Sequence, residues 1–227
     1  MELIFPYLIC AAMLVAFYAL MRLCLALSNR LALRSVYKSG VYTKKTMYTV
    51  LFARFGAKKL RSELYLPCRG TGGTRYERYE HILVLSGGVA VVSLRTENGA
   101  IRNAPGAKTW SFRKRMKSGT VREFEFENPI ASSRRLADAL SELLSQKNGK
   151  RRIPVEPICV FLPKNATFEE PRDQALLTPP DAIRKLTEID EKPLLSEEER
   201  RFVLTVLRRY ARSSSYAAAK NMQTHVK

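Results

Sequence analysis

The sequence predicts an α/β domain, in which helices flank a mixed sheet with a central hairpin, and one N-terminal transmembrane helix. Two β-rich runs, His81–Leu85 and Val89–Leu94, are joined by Ser86-Gly87-Gly88. Glycines between such runs indicate a tight hairpin, because glycine tolerates positive φ. Both runs are almost continuously apolar, as in strands that are buried on both faces. Helical apolar spacing on either side of the hairpin predicts the flanking helices.

The balance of charge favours an anionic partner. The 227 residues carry a formal net charge of +18, and the sequence pI is about 10.0. Nucleic acid and anionic lipid headgroups are the partners that such a charge attracts, and a basic surface that is only solvated is the alternative. The four cysteines form no C-x-x-C pair and there are two histidines, so neither a zinc site nor a disulfide framework is predicted. No small-molecule cofactor is predicted, since nucleotide-binding glycine motifs are absent from the sequence.

Residues 1–22 predict a membrane anchor. The run Leu3–Met21 contains no charged residue, and as a helix it is about as long as a bilayer core is thick. A cleavable signal peptide would begin with basic residues, whereas only Glu2 precedes this run. Basic residues follow it in the connector 23–45. Because positive charge stays on the cytoplasmic side, we expect a single-pass protein of the cell membrane with its N-terminus outside and its C-terminal domain in the cytoplasm.

A helix is predicted before the central hairpin and a second hairpin after it. Apolar spacing over 46–64 predicts a helix, and Pro67 with Gly70–Gly73 predicts a loop after it. Two alternating runs, Lys108–Arg113 and Thr120–Glu127, predict a second hairpin that is more exposed than the first. The basic residues at its tip are Arg113, Lys114, Arg115 and Lys117.

The C-terminal part is predicted to alternate helix and strand. Ser132 or Ser133 is expected to cap a helix, and Val155–Leu162 is expected to form a buried strand. A short helix follows, and the last helix begins with a capping box formed by Ser196 and Glu199. The predicted division of the chain is 1–22 transmembrane anchor, 23–45 basic juxtamembrane connector, 46–212 α/β domain and 213–227 disordered tail.

An ordered set of residues resembles the nuclease-related domain called NERD. That family has a pattern similar to E-I-D-H, a hairpin glycine and I-E-x-K-N, followed by a Trp, an N-P pair before a helix and a strand ending in V-F. The resemblance covers Phe55–Phe161 and implies a PD-(D/E)xK nuclease-like, restriction-endonuclease-like core, as in bacterial examples. The matching residues are Glu80-His81, Gly88, Trp110, Asn128-Pro129 and Val160-Phe161.

The resemblance also implies which residues occupy the catalytic positions. In active members, Asp and Glu hold a divalent metal, and Lys positions or activates the attacking water. In this chain Glu80 stands at the Asp position, Ser93 at the Glu position and Arg95 at the Lys position. Arg95 can grip a phosphate, but it cannot act as a base because its guanidinium stays protonated. The family's helical acidic residue is expected near Gly56, where Ala57-Lys58-Lys59 stands instead.

Two hypotheses follow from these replacements. The first is a catalytically inactive, membrane-tethered module that uses no cofactor and binds nucleic acid, anionic lipid or an acidic partner. The second is an active Mg²⁺-dependent nuclease, in which Glu97 replaces the lost carboxylate and holds the metal together with Glu80. The candidate nucleic-acid-binding cations are Arg95, Arg113, Lys114, Arg115, Lys117, Arg134 and Arg135.

Overall fold

The fold is given by a computed structural model, which describes residues 13–24, 27, 34, 39–70, 73–104, 106–148, 152–171, 173 and 175–225. Among the described residues, six strands precede the longest helix, Pro129–Asn148. The elements are, in chain order, α1 (Lys44–Phe55), β1 (Leu60–Gly70), β2 (Gly73–Leu85), β3 (Gly88–Arg95), β4 (Ala100–Arg102), β5 (Thr109–Arg115), β6 (Val121–Glu127), α2 (Pro129–Asn148), β7 (Val155–Phe161), β8 (Thr167–Phe168), β9 (Leu176–Leu177), α3 (Pro179–Glu191), α4 (Glu197–Tyr210) and α5 (Ser214–His225).

The predicted membrane anchor falls largely outside the described residues. Of the run Leu3–Met21, only the part from residue 13 onward is described, and residues 13–24 are helical with exposed side chains. Most of the predicted connector 23–45 is likewise outside the described part. Within the part of the chain that the structure describes, no helix is both long enough and apolar enough to cross a membrane.

The main sheet contains the predicted central hairpin, which is confirmed. Its strand order is β1-β2-β3-β7-β9, with β1, β2 and β3 antiparallel and β3, β7 and β9 parallel. The pairing of β2 with β3 runs from His81 opposite Val92 to Leu85 opposite Gly88. The connecting loop is therefore Ser86-Gly87, and Gly88 already begins β3. The sheet is mixed, as the sequence predicts.

Helices cover both faces of this sheet, which explains why the hairpin strands are apolar throughout. Leu83 and Val92 face one layer, where they pack with side chains of α1 and α3. Ile82 and Val91 face the opposite layer, where they pack with α2 and α4. All four side chains are at most 1 % exposed. Burial of each such side chain contributes about 1.5–3 kcal/mol, so the hairpin is the centre of both cores.

A smaller sheet contains the predicted second hairpin, which is also confirmed. Its strand order is β6-β5-β4-β8, and β5 pairs antiparallel with β6 from Thr109 opposite Glu127 to Arg115 opposite Val121. Trp110 is 4 % exposed and belongs to a third cluster of buried side chains. That cluster includes residues of β7, so the second sheet is anchored beside the main one.

The predicted helix over 46–64 is too long, and the loop predicted from Pro67 begins too early, since strand β1 continues to Gly70; residues 71–72 of that predicted loop lie outside the described residues. α1 ends at Phe55 because Gly56 adopts a φ of 79°, which breaks the helical path. β1 then passes through Pro67, which lies opposite Tyr76 of β2. β1 is an edge strand of the sheet, and an edge strand tolerates a proline because one side of its backbone needs no ladder partner.

The start of α2 also differs from the prediction. Asn128, rather than Ser132 or Ser133, caps this helix: its Oδ1 accepts hydrogen bonds from the N–H groups of the two residues after Pro129, at 3.0 and 3.3 Å. Proline suits the first helical position, since no hydrogen bond is lost there. By contrast, the predicted capping box of Ser196 and Glu199 is present at the start of α4.

A helix stands where the sequence predicts a disordered tail. Residues Ser214–His225 form α5, which packs against β2. The Asn221 carboxamide accepts from the Tyr76 N–H at 2.8 Å and donates to the Tyr76 carbonyl at 2.9 Å. Tyr216 meets the Tyr76 ring edge-on, with centroids 5.5 Å apart. A helix of this length is marginal by itself, so the contacts with β2 are what stabilise it.

Candidate functional site

Glu80 lies where β2 and β3 separate. The antiparallel pairing of the two strands ends at His81 and Val92. Beyond that point, the backbone N–H of Leu94 donates a hydrogen bond to Glu80 Oε2. The carboxylate therefore continues the hydrogen bonding between the strands after their backbones have stopped pairing.

The other carboxylate oxygen of Glu80 is bound by Lys44. Lys44 Nζ forms an ion pair with Glu80 Oε1, and the Glu80 side chain is 19 % exposed. Lys44 is the first residue of α1, and the helix starts there because Thr43 and Thr46 form a capping box. Both oxygens of Glu80 are thus engaged by the protein, and the ion pair connects α1 to β2.

Ser93 and Arg95 contact different elements from Glu80. Ser133 of α2 donates a hydrogen bond to Ser93 Oγ at 3.4 Å. Arg95 makes a two-point ion pair with Glu97, with N–O distances of 2.5 and 3.2 Å. The Arg95 guanidinium also lies over the Phe126 ring, 5.2 Å from its centroid. Such a contact between a cation and a ring face is attractive, so Arg95 is held between Glu97 and β6.

A cleft of about 510 Å³ opens beside Glu80. Among the described residues, Ser93, Arg95 and Glu97 do not line it. The structure therefore brings Glu80 into the cleft and directs the other motif side chains towards α2 and β6. The lining residues are Lys44, Lys45, Tyr48, Ser62, Glu63, Arg78, Glu80, His81 and Leu94.

His81 is a buried, uncharged part of the cleft wall. Its Nδ1 is 2.8 Å from Ser62 Oγ, and its ring centroid is 5.9 Å from that of Tyr48. Burial lowers the pKa of His81 below its ordinary value, and the nearby carboxylates of Glu80 and Glu63 oppose this effect only in part. The imidazole is therefore neutral near pH 7 and suited to packing and hydrogen bonding.

Replacement of His81 by glutamine is expected to reduce the pH dependence of stability. Because the pKa is lower in the folded protein, the unfolded chain binds the proton first as the pH falls below about 6.5. In the wild type, His81 should therefore leave the free energy of unfolding unchanged above that pH. Below it, the free energy of unfolding should decrease as the pH falls to the folded pKa. Urea unfolding of wild type and His81→Gln at about pH 7.5 and about pH 5.5 measures this difference. An identical pH dependence in both proteins would contradict it.

The predicted nucleic-acid-binding cations differ in their partners. Arg113 forms an ion pair with Glu169, and Arg135 forms one with Glu77 at 2.9 Å. Surface pairs of this kind are weak, so both guanidinium groups can exchange their partner for a phosphate. The remaining predicted cations outside the motif are exposed and form no ion pair with another described residue: Lys114, Arg115, Lys117 and Arg134.

The side chains at this site do not fit a magnesium ion. Magnesium usually binds one or two carboxylates together with waters and substrate phosphate. The oxygens of Glu80 are bound by Lys44 and by the Leu94 N–H, and the carboxylate of Glu97 is bound by Arg95. Within the described ranges, no group of three or more His, Cys, Asp or Glu side chains is arranged to hold a metal ion.

Sequence reasoning missed two residues that shape this site. Lys44 is predicted to lie in the connector, but the Thr43 and Thr46 pair is a capping signal that marks the helix start directly before it. Ser133 is predicted as a helix cap, whereas it is buried and contacts Ser93. No sequence pattern signals that second contact, because it joins two elements that are far apart in the chain.

Comparison with known proteins gives one match. Residues 52–162 match the family model of the nuclease-related domain, NERD. Neither the curated proteins nor the solved structures compared with this chain gave a match. The matched stretch begins in α1, ends after β7 and contains the motif positions Glu80, Ser93 and Arg95. The resemblance predicted over Phe55–Phe161 is thus confirmed, and the mixed sheet with its flanking helices fits a nuclease-like core. Residues 52–162 of this chain are a nuclease-related domain of the NERD family.

Proposed function

We propose that this protein is a membrane-anchored, cytoplasm-facing module of the nuclease fold that binds nucleic acid and does not cleave it. The match to the nuclease-related domain supports nucleic acid as the polyanion, because a nuclease fold is shaped to approach a phosphate backbone. The net charge of +18 supports the same partner. The apolar run Leu3–Met21 and the basic residues after it support the anchor and its orientation.

The observation that carries the proposal is the state of the three motif positions. Glu80 is held through both oxygens. Ser93 supplies a neutral hydroxyl where a carboxylate would bind metal. Arg95 cannot take a proton from water, yet its guanidinium can form two hydrogen bonds with a phosphate. These positions therefore favour anion binding over hydrolysis.

The alternative is an active Mg²⁺-dependent nuclease that uses Glu80 and Glu97. It requires both carboxylates to converge on one metal ion. Glu97 instead forms a two-point ion pair with Arg95, at 2.5 and 3.2 Å. No contact between Glu80 and Glu97 occurs among the hydrogen bonds and ion pairs of the described residues. The contacts of both carboxylates thus favour the binding module.

The proposed binding is expected to weaken steeply with salt. If the protein contacts about three to four phosphates, the logarithm of the association constant should fall with the logarithm of the salt concentration with a slope of about −2 to −4. Fluorescence anisotropy of labelled single-stranded and duplex DNA and RNA, with the full-length protein in mild detergent, measures this slope. Arg134→Ala should reduce the magnitude of the slope, since Arg134 is an exposed cation on the second turn of α2.

A matched control is Arg208→Ala, which removes an exposed cation from α4. This variant should retain the slope of the wild type. Absence of binding to every nucleic acid tested, or an affinity that does not change with salt, would contradict the proposed function.

A further inference from the structure

The second hairpin separates its aromatic and acidic side chains onto opposite faces. In the register of β5 with β6, Phe112 lies opposite Phe124 and Lys114 opposite Arg122. Side chains alternate along each strand, so the three glutamates Glu123, Glu125 and Glu127 point to the other face. We call the first surface the aromatic–basic face; it consists of Trp110, Phe112, Lys114, Arg122, Phe124 and Phe126.

The aromatic–basic face becomes more exposed along the hairpin. Trp110 is 4 % exposed and meets the Phe126 ring edge-on at 6.2 Å. The Phe112 and Phe124 rings are stacked, with centroids 5.2 Å apart and planes 22° apart. Phe124 is 38 % exposed, on the edge strand of its sheet. The stack is thus fixed to the core at one end and presents an aromatic ring to solvent at the other.

Two like charges follow the exposed ring on this face. Lys114 and Arg122 are exposed and lie directly opposite each other, an arrangement that disfavours the hairpin unless an anion lies between them. Neither forms an ion pair with another described residue. On the other face, by contrast, Arg113 is paired with Glu169. The uncompensated positive charge is therefore concentrated beside the exposed phenylalanine.

The aromatic–basic face leads into the motif region of the domain. Arg95 lies over the Phe126 ring, and Phe126 is next to Phe112, with ring centroids 5.9 Å apart. A nucleic-acid strand that runs along this face from its exposed end towards the core would therefore reach the guanidinium of Arg95. Arg95 stands at the position of the family's lysine. The stack of rings connects the hairpin tip to Arg95.

We propose that the aromatic–basic face binds a single-stranded segment of nucleic acid, with a base stacked on Phe124 and phosphates contacted by Lys114 and Arg122. The inference rests on the proposed function and specifies its substrate class. Stacking on an aromatic side chain requires an unpaired base, since a duplex hides the base faces. A lipid surface fits less well, because Val121, which is 59 % exposed, lies on the opposite face and leaves no apolar patch beside Phe124.

The test measures the affinity of the full-length protein, in mild detergent, for an oligothymidylate of about 15 nucleotides and for a duplex of equal length. Phe124→Leu retains an apolar side chain without the ring and should weaken single-strand binding by about 5- to 150-fold. Phe124→Trp retains an aromatic ring and should retain single-strand binding. Arg122→Ala should lower the magnitude of the salt slope by about 0.7. Arg208→Ala removes an exposed cation from α4, away from this hairpin, and is expected to change neither quantity.

Each outcome bears on one proposal or both. Loss of single-strand affinity in Phe124→Leu, with Arg208→Ala like wild type and an unchanged urea midpoint, supports the inference. If wild type binds but Phe124→Leu and Arg122→Ala bind equally well, the inference is overturned while the proposed function stands. If wild type binds no oligonucleotide, both are overturned. If Phe124→Leu weakens binding only to soluble dihexanoyl phosphatidylglycerol, the face belongs to lipid headgroups and the inference is overturned.

Discussion

Replacement of Gly87 by alanine is expected to lower the free energy of unfolding by about 3 kcal/mol or more. A Cβ at this position would lie 2.2 Å from the carbonyl oxygen of Ile189 and 2.9 Å from that of Lys192. Both are backbone atoms, so they cannot rotate away as a flexible side chain would. The hairpin turn is held against the end of α3 by a hydrogen bond of 3.0 Å from the Ser86 N–H to Asp190. Alanine would force these two elements apart.

The matched control for this effect is Gly106→Ala. Gly106 has a φ of 73°, and a Cβ there would meet no atom within 4 Å. The free energy of unfolding of that variant should therefore fall only by the strain of a side chain in the left-handed region, about 1–2 kcal/mol. Urea unfolding followed by circular dichroism compares the two variants with wild type. If Gly87→Ala were no less stable than Gly106→Ala, the close packing of the hairpin turn against α3 would be wrong.

Replacement of Glu80 by alanine is expected to cost about 1–3 kcal/mol of stability. The substitution leaves the partly buried N–H of Leu94 without its acceptor and leaves Lys44 without its partner. A residue kept for metal chemistry behaves differently, because active-site residues often reduce stability and their removal can increase it. The direction of the change therefore distinguishes a structural role from a catalytic one.

Two variants divide this effect between the two oxygens of Glu80. Glu80→Gln retains an oxygen that can accept from the Leu94 N–H, so this variant should lose less stability than Glu80→Ala. Lys44→Ala removes the ion pair alone and should cost about 1 kcal/mol or less, since the Lys44 side chain is 49 % exposed. Thermal or urea unfolding of the three variants orders them. A more stable Glu80→Ala protein would refute the structural role.

Local patterns were sufficient for those parts of the fold that depend on neighbouring residues. The central hairpin follows from its apolar runs and glycines, and both faces are buried because helices cover both. The capping box of Ser196 and Glu199 is a local hydrogen-bonding pattern, and it is present. The predicted helix extends too far beyond Gly56, because apolar residues such as Leu60 continue into β1. In that segment only the pairing with β2 distinguishes a strand from a helix.

Features that depend on distant contacts could not be predicted. α5 has the composition of a disordered tail, and its helix depends on the two hydrogen bonds between Asn221 and Tyr76. The motif positions Glu80, Ser93 and Arg95 follow from the resemblance to the NERD family, whose pattern the chain matches in order. The ion pair of Glu80 with Lys44 depends on how α1 packs on the sheet, so the sequence alone does not reveal it.

Alternation in the second hairpin was visible in the sequence, but its consequence was not. Along the sequence the basic residues of the tip form one cluster, whereas the register of β5 with β6 places Lys114 and Arg113 on opposite faces. Of the tip cations Arg113, Lys114 and Arg115, Lys114 alone shares a face with the stacked rings of Phe112 and Phe124. Strand pairing, rather than position along the chain, decides which cations can act together.

A cleavage assay tests most directly whether this nuclease fold binds without hydrolysis. End-labelled single-stranded DNA and RNA are incubated with the full-length protein, above the dissociation constant, with and without Mg²⁺ or Mn²⁺, and are then resolved by denaturing electrophoresis. Glu80→Gln is the comparison, because it removes the carboxylate with the smaller loss of stability. We expect intact oligonucleotides under all conditions. Cleavage that requires the metal and disappears in Glu80→Gln would contradict it.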